Sequence, residues 1–252
     1  MLEIRNKGEN QADILIYGDI IDDAESALMS EWYENMDGYQ WPKEIKAQLD
    51  ELKGKDLNIY INSYGGSVAA GTAMANMIAR HDGHTTAVVD SFCCSIATQI
   101  FFAADERKMP SNTYLMIHKP LGGAFGDSDD MRKYADNLDC IQKGLESAYL
   151  KCAKDGVTAE QIHAMTEAET WLTGADAAEL FDIELLDASP ALNCSGNREK
   201  LAKSLHKIPD ALRFDDKSAE MPNEKPSAQA DKANMRDEIY IAIAMAKGVM
   251  AR

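Results

Sequence analysis

The chain has 252 residues, 45% of them hydrophobic and 27% charged, enough for one large domain or a domain with an appendage. A formal charge of −16, with no local run of lysine and arginine, argues against a surface built to cover nucleic-acid phosphate. The N-terminal segment mixes acid, base and amide, and no apolar run approaches a membrane span, so neither a secretory leader nor a bilayer anchor is expected.

In chain order, "DILIY" (13–17) predicts a first strand closed by Gly18 and Asp19, and helices are expected over 22–35 and 43–52. "DLNIYIN" (56–62) predicts a second strand that ends in the turn "SYGGS". A helix over about 67–80 would place Val68, Met74, Met77 and Ile78 on its buried side. "TTAVVD" (85–90) reads as the third strand, "SIATQIFFAA" as a helix after the next turn, and "TYLMIH" (113–118) as the fourth strand. Strand and helix alternate at short spacing, which predicts an α/β fold with a mostly parallel sheet covered on both faces. Such folds carry their chemistry in loops beyond the carboxyl ends of strands, and "INSYGG", "VVDSFCCS" and "MIHKP" all fall there.

Beyond His118, "LGGAFGD" is a glycine-rich excursion followed by a long helix over about 128–154. Met131, Tyr134, Leu138, Ile141, Leu145 and Tyr149 recur along it at helical spacing, so it needs a partner surface in the same chain or in another copy. "TAEQIHAM" and "TGADAAEL" predict two short helices, each opened by a threonine cap, and "FDIELLD" a return to strand. From Ala188 the sequence turns polar: "DDKSAEMPNEKPSAQADKA" reads as a tether and "MRDEIYIAIAMAKGVM" as a short terminal helix. Residues 1–187 are therefore expected to form the functional domain and 188–252 an appendage.

Five cysteines (93, 94, 140, 152 and 194) give an odd count without paired zinc-ligand spacing. Cys93 and Cys94 would point in opposite directions if their strand continues, which fits buried free thiols in a reducing compartment. No metal and no cofactor is expected. Ser95 stands where a helix begins; it can be a plain N-cap, or a hydroxyl near which a helix terminus favours developing negative charge. Gly65 and Gly66 can form an ordinary turn, or let backbone amides approach a substrate. His118 leaves its strand beside the other two loops, as a structural side chain or a base. Glu169, one of 42 acidic residues, sits in "EAETWLTG" ahead of a tryptophan able to anchor the segment against the core.

Together these segments resemble the proteolytic subunit of the Clp peptidases (family S14), most closely the Clp-related head-maturation proteases of tailed phages. "INSYGGSVAAG" is similar to that family's "INSPGG" strand-turn-helix, "CCSIA" to its "AASMA" nucleophile segment, and "NTYLMIHKPLGG" to "NARVMIHQPLGG", which carries the base. "ETWLTGADAAEL" resembles the acid-containing stretch. The resemblance spans roughly 12–187 and departs at Tyr64, where proline is usual, at Phe181, where glycine is usual, and at Glu169, where aspartate is usual.

The resemblance implies a ClpP/crotonase-like fold with a protruding handle helix, and serine endopeptidase activity. Ser95 would be the nucleophile, His118 the general base and Glu169 the third member, with the amides of Gly66 and Ile96 as the oxyanion donors. Tyr64, Gly65, Phe92, Gly122 and Gly123 are expected near the substrate, with Met116 as a further pocket residue. It also implies a ring homo-oligomer, commonly two stacked heptamers, acting on extended chains. About a dozen residues precede the first strand, which weakens the expectation of a Clp ATPase partner and favours processing of scaffold and capsid proteins during prohead maturation. The expected location is the host-cell cytoplasm, the prohead interior included. Three alternatives stand beside this reading: a cellular ATPase-assisted Clp-type peptidase, a crotonase-like acyl-CoA enzyme, and a catalytically silent ring-forming scaffold.

Overall fold

A computed structural model describes residues 5–6, 10–33 and 35–188. The expected tether and terminal helix, and Cys194 with them, lie outside these residues apart from Ala188. The chain runs β1 (Arg5–Asn6), β2 (Gln11–Ile20), α1 (Asp23–Ser30), β3 (Tyr39–Gln40), α2 (Pro42–Glu51), β4 (Asp56–Gly66), α3 (Val68–Ile78) and β5 (Thr85–Cys94). It continues through α4 (Ala97–Phe102), β6 (Glu106–Pro110), β7 (Tyr114–Ile117), α5 (Ser128–Lys151), α6 (Ala159–Glu167), β8 (Thr170–Thr173), α7 (Gly174–Leu180) and β9 (Glu184–Leu186). Up to Pro120 and from Asp139 onward the described residues form one compact unit; Leu121–Leu138 belong to a second.

Nine strands among the described residues share one sheet, with the path β1-β2-β4-β5-β6-β9. All pairings along it after β1 are parallel, as the alternation of elements predicts. β5 forks. Its first half pairs with β6 (Val88↔Lys108) and its second half with β7 (Cys93↔Leu115), and β7 then pairs antiparallel with β8. The core is built from the alternate positions that face the helices, among them Leu57, Ile59 and Ile61 of β4 and Ala87 and Val89 of β5. Ile100 and Phe101 of α4, Leu145 and Tyr149 of α5, and Phe181 complete it.

Three strands run further than the sequence predicts. Gly18 does not end β2: it takes φ +92° at a bulge where a Cβ would lie 2.1 Å from the Gly38 carbonyl oxygen, and the strand goes on to pair Ile20 with Gly66. β4 reaches Gly66, four residues past the expected end, and β5 carries "SFCC" because β7 supplies its ladder partners. Such long-range pairing leaves no local signal. The helix expected over 22–35 is shorter, Asp23–Ser30, whereas the one expected over 43–52 keeps its length and starts one residue earlier, Pro42–Glu51. β6 and β8 are strands that periodicity missed.

Both threonine caps form. Thr158 accepts from the Gln161 amide, and Thr173 and Asp176 make a reciprocal capping box. Phe181, where a glycine is usual, has φ −120°, a conformation open to any residue, and its buried ring packs on Phe102 at 5.0 Å. The apolar stripe of α5 divides: Leu145 and Tyr149 are buried, whereas Met131 and Ile141 are exposed. On α3 the buried residues are Ala70, Gly71, Met74, Ala75 and Ile78, with Val68 and Met77 half-buried. Among the described residues no helix is long and apolar enough to cross a membrane.

Candidate active site

The carboxyl ends of β4, β5 and β7 converge. β5 delivers Ser95 into the turn before α4, with φ +54° and its amide donating to the Met116 carbonyl at 2.8 Å. A non-glycine residue held in the left-handed region is uncommon, and such strain gathers at functional sites. Ser95 is not the helix cap; Ile96 occupies that position without a side-chain bond. The Ser95 carbonyl accepts from the Thr98 hydroxyl, which also bonds the Tyr149 hydroxyl at 2.8 Å, so α5 braces the turn from behind.

His118 is the first residue past β7. Its Nε2 lies 2.7 Å from Ser95 Oγ, a distance at which the hydroxyl can donate to a neutral imidazole. Both side chains are half-buried. β7 and β8 pair Met116 with Trp171 and Ile117 with Thr170, and His118 and Glu169 are the next residues along the chain beyond that end of the ladder. Glu169 has φ +52°, and its Oε1 is buried without a hydrogen-bond partner among the described residues. Apart from Ser95 it is the one non-glycine residue with positive φ among those described.

The two glycines have separate tasks. A Cβ on Gly65, at φ +98°, would lie 2.7 Å from Ser95 Cβ and 2.9 Å from the Cys94 carbonyl oxygen. Gly65 is therefore pressed against the nucleophile turn, a closer role than the substrate contact expected of it. Its amide is taken by Ser63 Oγ at 3.1 Å. Gly66, at φ +147°, abuts Ile20, whose carbonyl accepts from the Ser67 amide at 2.7 Å. Successive amides of an extended segment face opposite edges, so the Gly66 amide is turned toward the β5 side. Ile96 is buried, and Gly71 of α3 approaches it so closely that a Cβ there would lie 2.3 Å from Ile96 Cγ1. The sequence reading missed Gly71; the run of small residues in "VAAGTAMA" was its only sign.

An aromatic row lies along the sheet next to this turn. Tyr64 and Phe92 have ring centroids 5.1 Å apart, Phe92 and Tyr114 5.4 Å, and Phe92 meets the edge of Trp171 at 6.4 Å. Tyr64, where a proline is usual, thus gains a packed ring. Tyr114 and Trp171 join the row through ladder register, which no local pattern shows. Met116, expected as a further pocket residue, is fully buried. Gly122 and Gly123 belong to the second compact unit, where a Cβ on Gly122 would meet the Tyr134 hydroxyl and one on Gly123 would meet nothing. Cys93 and Cys94 are both fully buried, and burial pushes both thiols up, far from thiolate chemistry at neutral pH.

Fold and site together define an α/β protein with a serine and a histidine in nucleophile–base geometry at the carboxyl ends of its strands. The Clp protease family model matches residues 8–181, and the chain belongs to the Clp protease family. It is 28% identical over 201 residues to the ATP-dependent Clp protease proteolytic subunit of Streptococcus pneumoniae strain Hungary19A-6, covering 77% of this chain and 98% of the relative. The proteins of the same description from strains CGSP14 and JJA match equally. A ClpP1 mutant from Listeria monocytogenes shares the fold with a TM-score of 0.56 at 23% identity, covering 69% of this chain and 91% of that one.

Proposed function

We propose that this protein is a serine endopeptidase in which Ser95 is the nucleophile, His118 the general base and Glu169 the residue that orients the imidazole. The observation that carries this reading is the 2.7 Å contact between Ser95 Oγ and His118 Nε2, made by a serine with φ +54°. Nε2 takes the hydroxyl proton as Oγ attacks a peptide carbonyl, and the amides of Gly66 and Ile96 receive the oxyanion. The imidazolium then protonates the leaving amine, and water releases the acyl group by the same path in reverse. The assignment of Glu169 rests on the sequence resemblance, and its place just beyond the end of the β7–β8 ladder, with a buried unpartnered oxygen, supports it.

The enzyme acts as a ring homo-oligomer and processes scaffold and capsid proteins during phage prohead maturation, in the host cytoplasm. The support for this role is the sequence resemblance to head-maturation proteases, including glutamate at position 169. The relatives' description as ATP-dependent favours a second reading, a peptidase fed by an unfolding ATPase.

The test is intact-mass analysis of wild type and Ser95→Ala after treatment with a fluorophosphonate. One adduct on wild type and none on the variant is expected. Equal labelling of both, or none on folded wild type, would overturn the assignment. Cleavage of folded capsid precursor without ATP separates the two physiological readings.

A further inference from the structure

Outside the triad, a set of charged side chains surrounds a groove of about 620 Å³ lined by Lys119, Gln142, Glu146, His163 and Glu167, among others. Two of these residues flank the reacting groups in sequence: Lys119 follows His118, and Glu167 lies two residues before Glu169. The β7–β8 ladder stops at Ile117↔Thr170, so the backbones carrying His118 and Glu169 run on without ladder bonds to each other. Just past that end, Lys119 Nζ meets Glu167 Oε1 at 2.8 Å.

The glutamate is itself anchored. Gln142 of α5, 4% exposed, donates from Nε2 to Glu167 Oε1 at 3.1 Å and to Glu146 Oε1 at 2.7 Å. Glu146 in turn meets His163 Nδ1 of α6 at 3.0 Å. The ion pair holds Glu167 ionised, its carboxyl pulled below the usual range first by the Lys119 contact and then by Gln142.

We propose that Lys119, Glu167 and Gln142 form a clamp that closes the open end of the β7–β8 ladder and holds Glu169 in register with His118. These are positioning residues for the reaction assigned above, and the inference rests on that reading. The Lys119 and Glu167 side chains are 44% and 42% exposed, and pairs of this exposure add little to global stability. The effect of the clamp therefore lies in where it acts: misplacing a reacting group slightly costs rate far out of proportion to fold energy.

Saturation kinetics of fluorophosphonate labelling of the full chain test this, with folding and assembly followed by thermal melts and sedimentation. Lys119→Met and Glu167→Gln are expected to lower the maximal labelling rate roughly tenfold while half-saturation stays within about twofold. Their double variant should lose no more than either single one, the mark of one shared interaction. Lys119→Arg should label as wild type does, and so should Lys143→Met, which removes a cation from the same groove. Wild-type rates in both single variants, additive losses in the double variant, or an equal loss in Lys143→Met would overturn the clamp. Loss of assembly in Lys119→Met would do so too, making the pair an assembly contact. Absence of labelling in folded wild type would remove the triad reading itself, whereas labelled wild type beside unaffected variants removes the clamp alone.

Discussion

At the scale of single residues, the site depends on contacts that one methyl group can break. Gly65→Ala would drive a Cβ into Ser95 Cβ at 2.7 Å while forcing alanine to φ +98°. We expect a folded protein whose labelling by fluorophosphonate drops on the order of a hundredfold, measured against its circular dichroism. Glu169→Gln keeps the shape and removes the charge that stabilises an imidazolium, so turnover should fall by a factor on the order of 10³, read from pre-steady-state peptide cleavage. Asp90 gives a prediction about pH. Burial raises its carboxyl above the ordinary 3.8, and the Tyr17 hydroxyl offsets this in part by donating to it. The folded state then binds the proton more tightly than the unfolded state, so stability is lost as pH rises from 3.8 through the raised folded value. Asp90→Asn keeps an acceptor for Tyr17 and cannot ionise. Its melting temperature should exceed that of wild type near pH ~7 and the difference should close near pH ~3. At this scale the meeting of Ser95 and His118 was legible because each sits in a contiguous motif at a strand end. The division of labour between Gly65 and Gly66 was not, since Gly65 is fixed by β5 and Gly66 by β2.

At the scale of elements, the parallel sheet was legible from apolar runs at short intervals, and the caps from their threonines. β6 and β8 escaped because "ERKMP" and "TWLT" carry no period of their own; neighbouring strands make them strands. The α5 stripe shows the converse, a helical period that is real while only Leu145 and Tyr149 of it are buried. α7 is positioned by its first turn: Gly174 sits where a Cβ would lie 2.2 Å from the Pro110 carbonyl oxygen, and the Thr173–Asp176 box fixes the entry. Thr173→Ala should cost about 1 kcal/mol, measured by urea unfolding, without changing the labelling rate of Ser95.

At the scale of the whole molecule, the proposed assembly of a chain of formal charge −16 with copies of itself would bring like charges together. Raising the ionic strength from about 0.01 M to about 0.15 M shortens the screening length from about 30 Å to about 8 Å. Sedimentation velocity should accordingly show a larger assembled fraction at the higher salt. A fraction that falls instead would mean that opposite charges dominate the contact between copies.

The positive φ of Ser95 also bears on how such a protein ages as a lineage. Glycine relaxes in that backbone well and serine does not, so drift toward thermal robustness alone would favour Ser95→Gly and erase the reactive hydroxyl. A relative with glycine at this position could therefore be a hardier protein than its active ancestor. The serine of this chain forgoes that relaxation, which is what the nucleophile role proposed for Ser95 would require of it.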